Sequence, residues 1–190
     1  MIIGLTGGIG TGKSSAVEYF IKYGAIVIDA DKISKNVTDS KEIIEKIEKE
    51  FGKEYINNGK IERKKLRKHV FSNKEELVKL NNITHPVIIE KIKNEIEKNR
   101  NKKLVIVDVP LLFETGLEVI VEKVILISAP FEVQLSRIIA RDNIDYESVL
   151  NAIKAQMPLK EKIKKADFII ENGGTKEELA DKIYDFISKI

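Results

Sequence analysis

A chain of 190 residues with 33 basic and 30 acidic side chains and a formal charge of +3 has room for one folded domain with a small insertion, and its near balance of charge demands no nucleic-acid partner. The absence of cysteine excludes disulfides and thiol chemistry, and with the Lys/Glu-rich composition it fits a cytoplasmic protein. No run approaches the ~18 apolar residues of a membrane helix, and Met1 to Leu5 is too short for a signal-peptide core, so a soluble protein without membrane contacts is expected.

Met1 to Leu5 is an apolar run that predicts a buried strand, and it leads directly into Gly7–Ser15, GGIGTGKSS. This fits the P-loop pattern G-x-x-x-x-G-K-[ST], in which the chain curls so that several backbone N–H groups meet phosphate oxygens together. Gly7, Gly8, Gly10 and Gly12 tolerate the dihedral angles such a curl needs. The following helix adds its own free amides, with Lys13 placed to meet the β- and γ-phosphates and the Ser14 hydroxyl suited to Mg²⁺. The alternative, a plain flexible glycine turn, does not explain the strand-then-helix context. Ala16, Val17, Phe20 and Ile21 recur at helical spacing up to Gly24, a candidate C-cap. Ala25 to Ile28 is a second short buried strand, ending in Asp29-Ala30-Asp31. Two carboxylates at that end either face the ligand crevice of an open α/β sheet or cap a helix.

From Lys32 to Arg100 the strand signal disappears. Ile43, Ile44, Ile47 and Phe51 predict one helical face, Asn57-Asn58-Gly59 a break, and Leu66, Val70 and Phe71 another helix. An amphipathic stretch follows from about 74 to 98, with a break or kink expected at His85-Pro86. Such a helical insertion between two strands is far longer than a crossover needs and typically holds a second substrate. Its lysines, Lys91, Lys93 and Lys98 among them, are interrupted by acids and lack interleaved aromatics, which describes a solvated face rather than a nucleic-acid patch.

Leu104 to Asp108 is the clearest buried strand, and its terminal Asp resembles the Mg²⁺-holding Asp of a Walker B segment. Lys123 to Ser128 is a fourth strand, and the next helix carries Arg137 and Arg141, four apart and so on one face. The pair either clamps phosphates or is simply solvated. Ala166 to Ile170 is a fifth strand, and Leu179, Ile183 and Ile187 mark a closing helix. There are no repeats and no linker. The D-x-x-G and N-K-x-D segments of a guanine-nucleotide switch are absent, which argues against that class.

These segments together resemble the dephospho-CoA kinase family, which catalyses the last step of coenzyme A synthesis. The resemblance rests on LTGGIGTGKSS (5–15), VIDAD (27–31), RKKLRKHVF (63–71), THP (84–86), VPLLFE (109–114), RIIARD (137–142), AQM (155–157) and ADFIIENGG (166–174). It implies an α/β P-loop kinase fold: a five-stranded parallel sheet with flanking helices, a core of residues 1–31, 103–140 and 161–190, a helical CoA-binding insertion at 32–102, and a lid at 141–160. It also implies phosphoryl transfer from ATP, with Mg²⁺, to the ribose 3′-hydroxyl of dephospho-CoA by a monomer or weak homo-oligomer. In that scheme Gly8, Gly10, Thr11, Gly12, Lys13, Ser14 and Ser15 bind the ATP phosphates, with Ser14 as metal ligand. Arg137 and Arg141 stand near the phosphates and Asn172 near the adenine. Asp31, Lys13 and Arg141 are the implied catalytic residues, and Asp31, Arg63, His85 and Leu111 the implied acceptor-binding ones. His85 equally well fixes the residue before Pro86 by a structural hydrogen bond. The chain departs from the family pattern in two places: Asp108 replaces an apolar residue of some members, and Pro158-Leu159-Lys160 lacks an arginine that some carry, leaving Lys160 as a replacement.

Overall fold

Strands buried on both faces read as unbroken apolar runs, and each such run in this chain becomes a parallel strand. The computed structural model describes residues 1–190. Its chain forms two compact units, one of Met1–Asp29 with Ile96–Ile190, the other Ala30–Glu95. The first unit opens with β1 (Ile2–Gly7), α1 (Lys13–Lys22) and β2 (Ile26–Asp29). The second holds α2 (Ala30–Thr38), α3 (Lys41–Phe51), the short strands β3 (Ile56–Asn57) and β4 (Lys60–Ile61), α4 (Arg63–Ser72) and most of α5 (Lys74–Lys98). The first unit then resumes with β5 (Val105–Asp108), β6 (Lys123–Ser128), α6 (Phe131–Asp142), α7 (Tyr146–Lys154), α8 (Leu159–Lys165), β7 (Phe168–Glu171) and α9 (Lys176–Ser188).

The sheet is five-stranded and parallel throughout, in the order β2-β5-β1-β6-β7. All six residues of β1 are buried, as suits the centre of the sheet. On one face Ile3, Leu5, Ile106, Ile125, Ile127 and Ile170 pack with Ala16 and Phe20 of α1 and Leu179 and Ile183 of α9. Each such large side chain contributes roughly 1.5–3 kcal/mol on burial. The other face accommodates the turn after β5: a Cβ on Gly4 would stand 2.9 Å from Leu112 Cδ2, so the missing side chain is what admits Leu112. α9 begins with a capping box. Thr175 Oγ1 accepts the Glu178 amide at 3.2 Å, while Glu178 Oε2 accepts the Thr175 amide at 3.1 Å, satisfying two otherwise orphaned donors.

The second unit has its own core of Val37, Ile43, Ile47, Tyr55, Leu66 and Val70, with Leu77, Leu80, Ile83, Val87 and Ile88 of α5 packed against it. The break expected at 57–59 is a hairpin turn, because Asn58 and Gly59 both have positive φ (49° and 71°) and so form the tight connection that joins antiparallel strands. Two other expectations need correction. Of the break or kink expected at His85-Pro86 the break is absent: α5 runs through it, held by its apolar face on the core, with the Thr84 hydroxyl donating to the Leu80 carbonyl at 2.9 Å. Ile21 and Phe71, assigned to buried helix faces, are exposed; each lies next to a buried residue in sequence (Phe20, Val70), about 100° round the helix from it.

Candidate active site

The loop after β1 is shaped by glycines for two separate reasons. Gly10 and Gly12 have φ of 77° and 83°, the left-handed region that disfavours side chains. A Cβ on Gly12 would also stand 2.2 Å from Asn172 Nδ2. Around these bends the polar groups are paired. The Gly8 carbonyl accepts the Thr11 amide (3.3 Å) and the Thr11 hydroxyl (2.8 Å). The Thr11 carbonyl accepts the buried Asn172 amide nitrogen (2.8 Å) and Arg137 Nη1 (3.5 Å), and the same Nη1 donates to the Asn172 carbonyl (2.9 Å). Gln134, buried at the start of α6, donates to the Ala129 carbonyl (2.8 Å), and its Oε1 would lie 3.3 Å from a Cβ on Gly8. A rigid cradle of main-chain amides results.

That cradle forms one wall of a cleft of about 350 Å³, completed by Lys13, Ser14, Ser15, Pro110, Arg137, Arg141 and Gln156. Three cationic side chains and the N-terminus of α1 give the cleft a field suited to polyanions. The Lys13 ammonium pairs with Asp108, both being mostly buried. Asp108 ends β5 in register with Asp29 of β2 and Leu5 of β1. Arg141 donates from Nε and Nη2 to both oxygens of Asp142 at 2.7 Å, an exposed pair that raises the Arg141 pKa and lowers that of Asp142. Ser14 is exposed on the cleft. No cluster of three or more His, Asp or Glu is built to hold a metal by itself. A single hydroxyl with Asp108 nearby suits a magnesium ion brought in on phosphates, which keeps most of its waters.

A cleft so built suits the phosphates of a nucleotide. The family description "Dephospho-CoA kinase" matches residues 1–178. This chain belongs to the dephospho-CoA kinase family. It is 46% identical over 191 residues to the dephospho-CoA kinase of Fusobacterium nucleatum, covering 100% of this chain and 98% of the relative. Its structure is similar to a crystal structure of a Thermus thermophilus protein (TM-score 0.88, 33% identity, 100% and 97% of the two chains). It is also similar to that of a dephospho-CoA kinase from Campylobacter jejuni (TM-score 0.76, 35% identity, 99% and 96%).

Against the residues that the family pattern singles out, the structure brings Gly8, Gly10, Gly12, Lys13, Ser14, Ser15, Arg137 and Arg141 to one cleft. Thr11 and Asn172 are buried behind the loop, each spent on holding it. Leu111 is exposed in the turn after β5, where its carbonyl accepts Thr115 N–H and O–H at 3.0 and 2.7 Å. In the second unit Asp31 is exposed in the first turn of α2. Arg63 starts α4 and donates from Nη2 to Thr38 Oγ1 (2.7 Å) and Asp39 Oδ1 (2.8 Å). His85 is half-buried within α5, and burial pushes its pKa down. Sequence reasoning missed Gln134, Glu114, Lys162 and the role of Gln156. Their partners lie on other elements, so no local pattern announces them; AQM and PLLFE stand in the sequence only as segments of the family pattern.

Proposed function

We propose that this chain transfers the γ-phosphoryl group of ATP to the ribose 3′-hydroxyl of dephospho-CoA, giving CoA and ADP in the final step of coenzyme A synthesis. The observation that carries this is one cleft holding the loop amides, Lys13, Ser14, Arg137 and Arg141 in a chain of this family. Phosphoryl transfer asks for positioning and for stabilisation of charge on the γ-phosphoryl oxygens, and little covalent chemistry. The amides after Gly10 and at the start of α1 receive the phosphates. Lys13 exchanges Asp108 for the β- and γ-oxygens, an anion of higher charge. Arg141, exposed and bonded only to its neighbour Asp142 among the contacts described, turns to the transferring group when the 141–160 lid closes and excludes water. A magnesium ion held through Ser14 supplies further charge neutralisation when bound.

Asp31 follows β2 by two residues, at the strand-end edge where open α/β sheets bind ligands. Its carboxylate orients the 3′-hydroxyl and accepts its proton. Arg63, His85 and Leu111 take part in acceptor binding, and Asn172 reaches the nucleotide indirectly, through the loop that it braces. The protein acts in the cytoplasm as a monomer or weak homo-oligomer; no helix is long and apolar enough to cross a membrane. Purified protein with MgATP and, separately, dephospho-CoA, AMP, CMP or pantothenate tests this. ADP release with dephospho-CoA alone is the expected result, and equal or faster turnover on AMP or CMP would replace the acceptor with a nucleoside monophosphate.

A further inference from the structure

One peptide unit of the phosphate loop is held at both ends. Its carbonyl end, Gly8 O, is tethered within the loop by the Thr11 amide and hydroxyl. Its amide end, Ile9 N–H, donates at 3.0 Å to Gln156 Oε1, a side chain 147 residues farther along, between α7 and α8. The segment carrying Gln156 is tethered in turn. The next amide, Met157 N–H, donates to Glu114 Oε1 at 2.9 Å, and the same oxygen lies 2.9 Å from Lys162 Nζ. The Lys162 side chain is 0% exposed, and its contact with Glu114 is an ion pair rather than an aligned hydrogen bond. Burial by itself would raise the Glu114 pKa; the Lys162 ammonium and the Met157 amide overcome this and hold the carboxyl below its usual range. A buried ammonium cannot give up its only carboxylate cheaply. Glu114, Met157 and Gln156 are therefore fixed as a series that ends on the loop.

We propose that Gln156 is a positioning residue for phosphoryl transfer, fixing the Gly8–Ile9 peptide so that the amides after Gly10 keep the places from which they meet the phosphates. The need arises from the loop's own composition. Gly7, Gly8 and Gly10 leave the chain on either side of Ile9 free to swing, and a displaced unit would carry the later amides out of line with the phosphates. A tether from outside the loop suppresses that movement. The residue type follows from the same electrostatics: a carboxamide accepts the Ile9 proton without adding negative charge beside the phosphates, whereas a carboxylate of the same length would oppose them. Because Gln156 belongs to the 141–160 segment, the order of the loop is tied to the placement of that segment. This inference rests on the phosphoryl-transfer function proposed above.

The test compares Gln156→Ala and Gln156→Glu with the wild-type chain, using melting temperature, turnover, and the affinities of fluorescent analogues of ATP, ADP and AMP measured without acceptor. Gln156→Ala is expected to melt with the wild type and to lose roughly threefold to tenfold in kcat/KM for ATP, the value of one neutral hydrogen bond. Gln156→Glu keeps the tether but adds charge, so its affinity loss should grow from AMP to ADP to ATP, reach roughly tenfold or more for ATP, and shrink as salt is added. A merely structural glutamine would move melting temperature and leave the ratio of the three affinities untouched; that result overturns the proposal, as does wild-type kcat/KM in Gln156→Ala. The nucleotide affinities need no acceptor, so a wild-type chain that ignores dephospho-CoA would defeat the proposed reaction and leave this result to stand or fall separately.

Discussion

The two units of the molecule prepare for ligands in different ways. In the sheet unit the phosphate cradle is main chain, and the side chains around it serve largely to hold that main chain: Asn172 and Arg137 brace Thr11, Gln156 braces Ile9, and Gln134 lies against Gly8. In the helical unit the candidate acceptor residues are side chains on helices, and Arg63 is already engaged with Thr38 and Asp39 of its own unit. A phosphate group is the same in every nucleotide, so a fixed cradle serves it. An acceptor alcohol must be chosen, and choice rests on side chains that can be replaced one at a time.

Substitutions should therefore separate chemistry from scaffolding. The largest effect is expected at Asp31, which follows the sheet unit and opens the helical one. Asp31→Asn should lower kcat by roughly 10²- to 10⁴-fold with ATP binding nearly unchanged, the range for loss of a general base. If the residue only supports the start of α2, the variant will instead be less stable by up to ~2 kcal/mol and fully active in its folded fraction. Lys13→Ala, on the cradle side, should cost about 10²-fold or more in turnover while the chain stays folded, because Lys13 lines the cleft and is no part of the apolar core. Near-normal kinetics would end the P-loop assignment.

A third substitution asks whether the anchor of the Gln156 segment is as rigid as the cradle that it braces. Glu114→Gln strands the Lys162 ammonium in the interior and should cost about 3 kcal/mol, read as a lower melting temperature. Adding Lys162→Met should recover most of it, since two apolar or neutral groups leave no unpaired charge; a double variant no better than the single one would show that the ion pair is not the cause. The Glu114 pKa is depressed in the folded chain, so its contribution is complete above the unfolded carboxyl value of about 4.3 and is lost as pH falls through the folded one. The smallest effect belongs to the helical unit. Burial lowers the folded-state pKa of His85, so the unfolded chain binds the extra proton first as pH drops below about 6.5, and stability declines there. Gln at position 85 should flatten that decline between pH 7.5 and 5.5 in thermal melts, whereas an unchanged slope would remove His85 as its source.

The middle of the sheet was legible because its strands are buried on both faces and therefore unbroken in sequence, as Val105–Asp108 and Lys123–Ser128 show; the edge strands β2 and β7, more exposed, still read as short apolar runs. The loop was legible because glycine, lysine and serine must stand at fixed spacing to do their work. What escaped was either too short or too distant. β3 and β4 are two residues each, below any periodic signal, although Asn58-Gly59 between them was a usable hint. Pro86 misled because its local cost is real, yet it is outweighed by the apolar seam that lets α5 continue through it. The link from Ile9 to Gln156 and from Met157 to Glu114 joins segments 147 and 43 residues apart, and no pattern in either segment names the other.

The strand order has a consequence for how the chain is made. β1 and β2 are synthesised early but do not touch, because the place between them belongs to β5, which follows β2 by roughly 75 residues. At about 5–20 residues per second a ribosome needs several seconds to deliver it. During that interval the sheet is two unpaired apolar ribbons, whereas the helical unit, whose core residues are close in sequence, already has everything its packing needs. The nascent chain thus carries a folded insertion before it has a sheet to be inserted into, and the phosphate loop, though among the first residues made, is among the last to take shape: its braces Arg137, Gln156 and Asn172 arrive only near the end of synthesis.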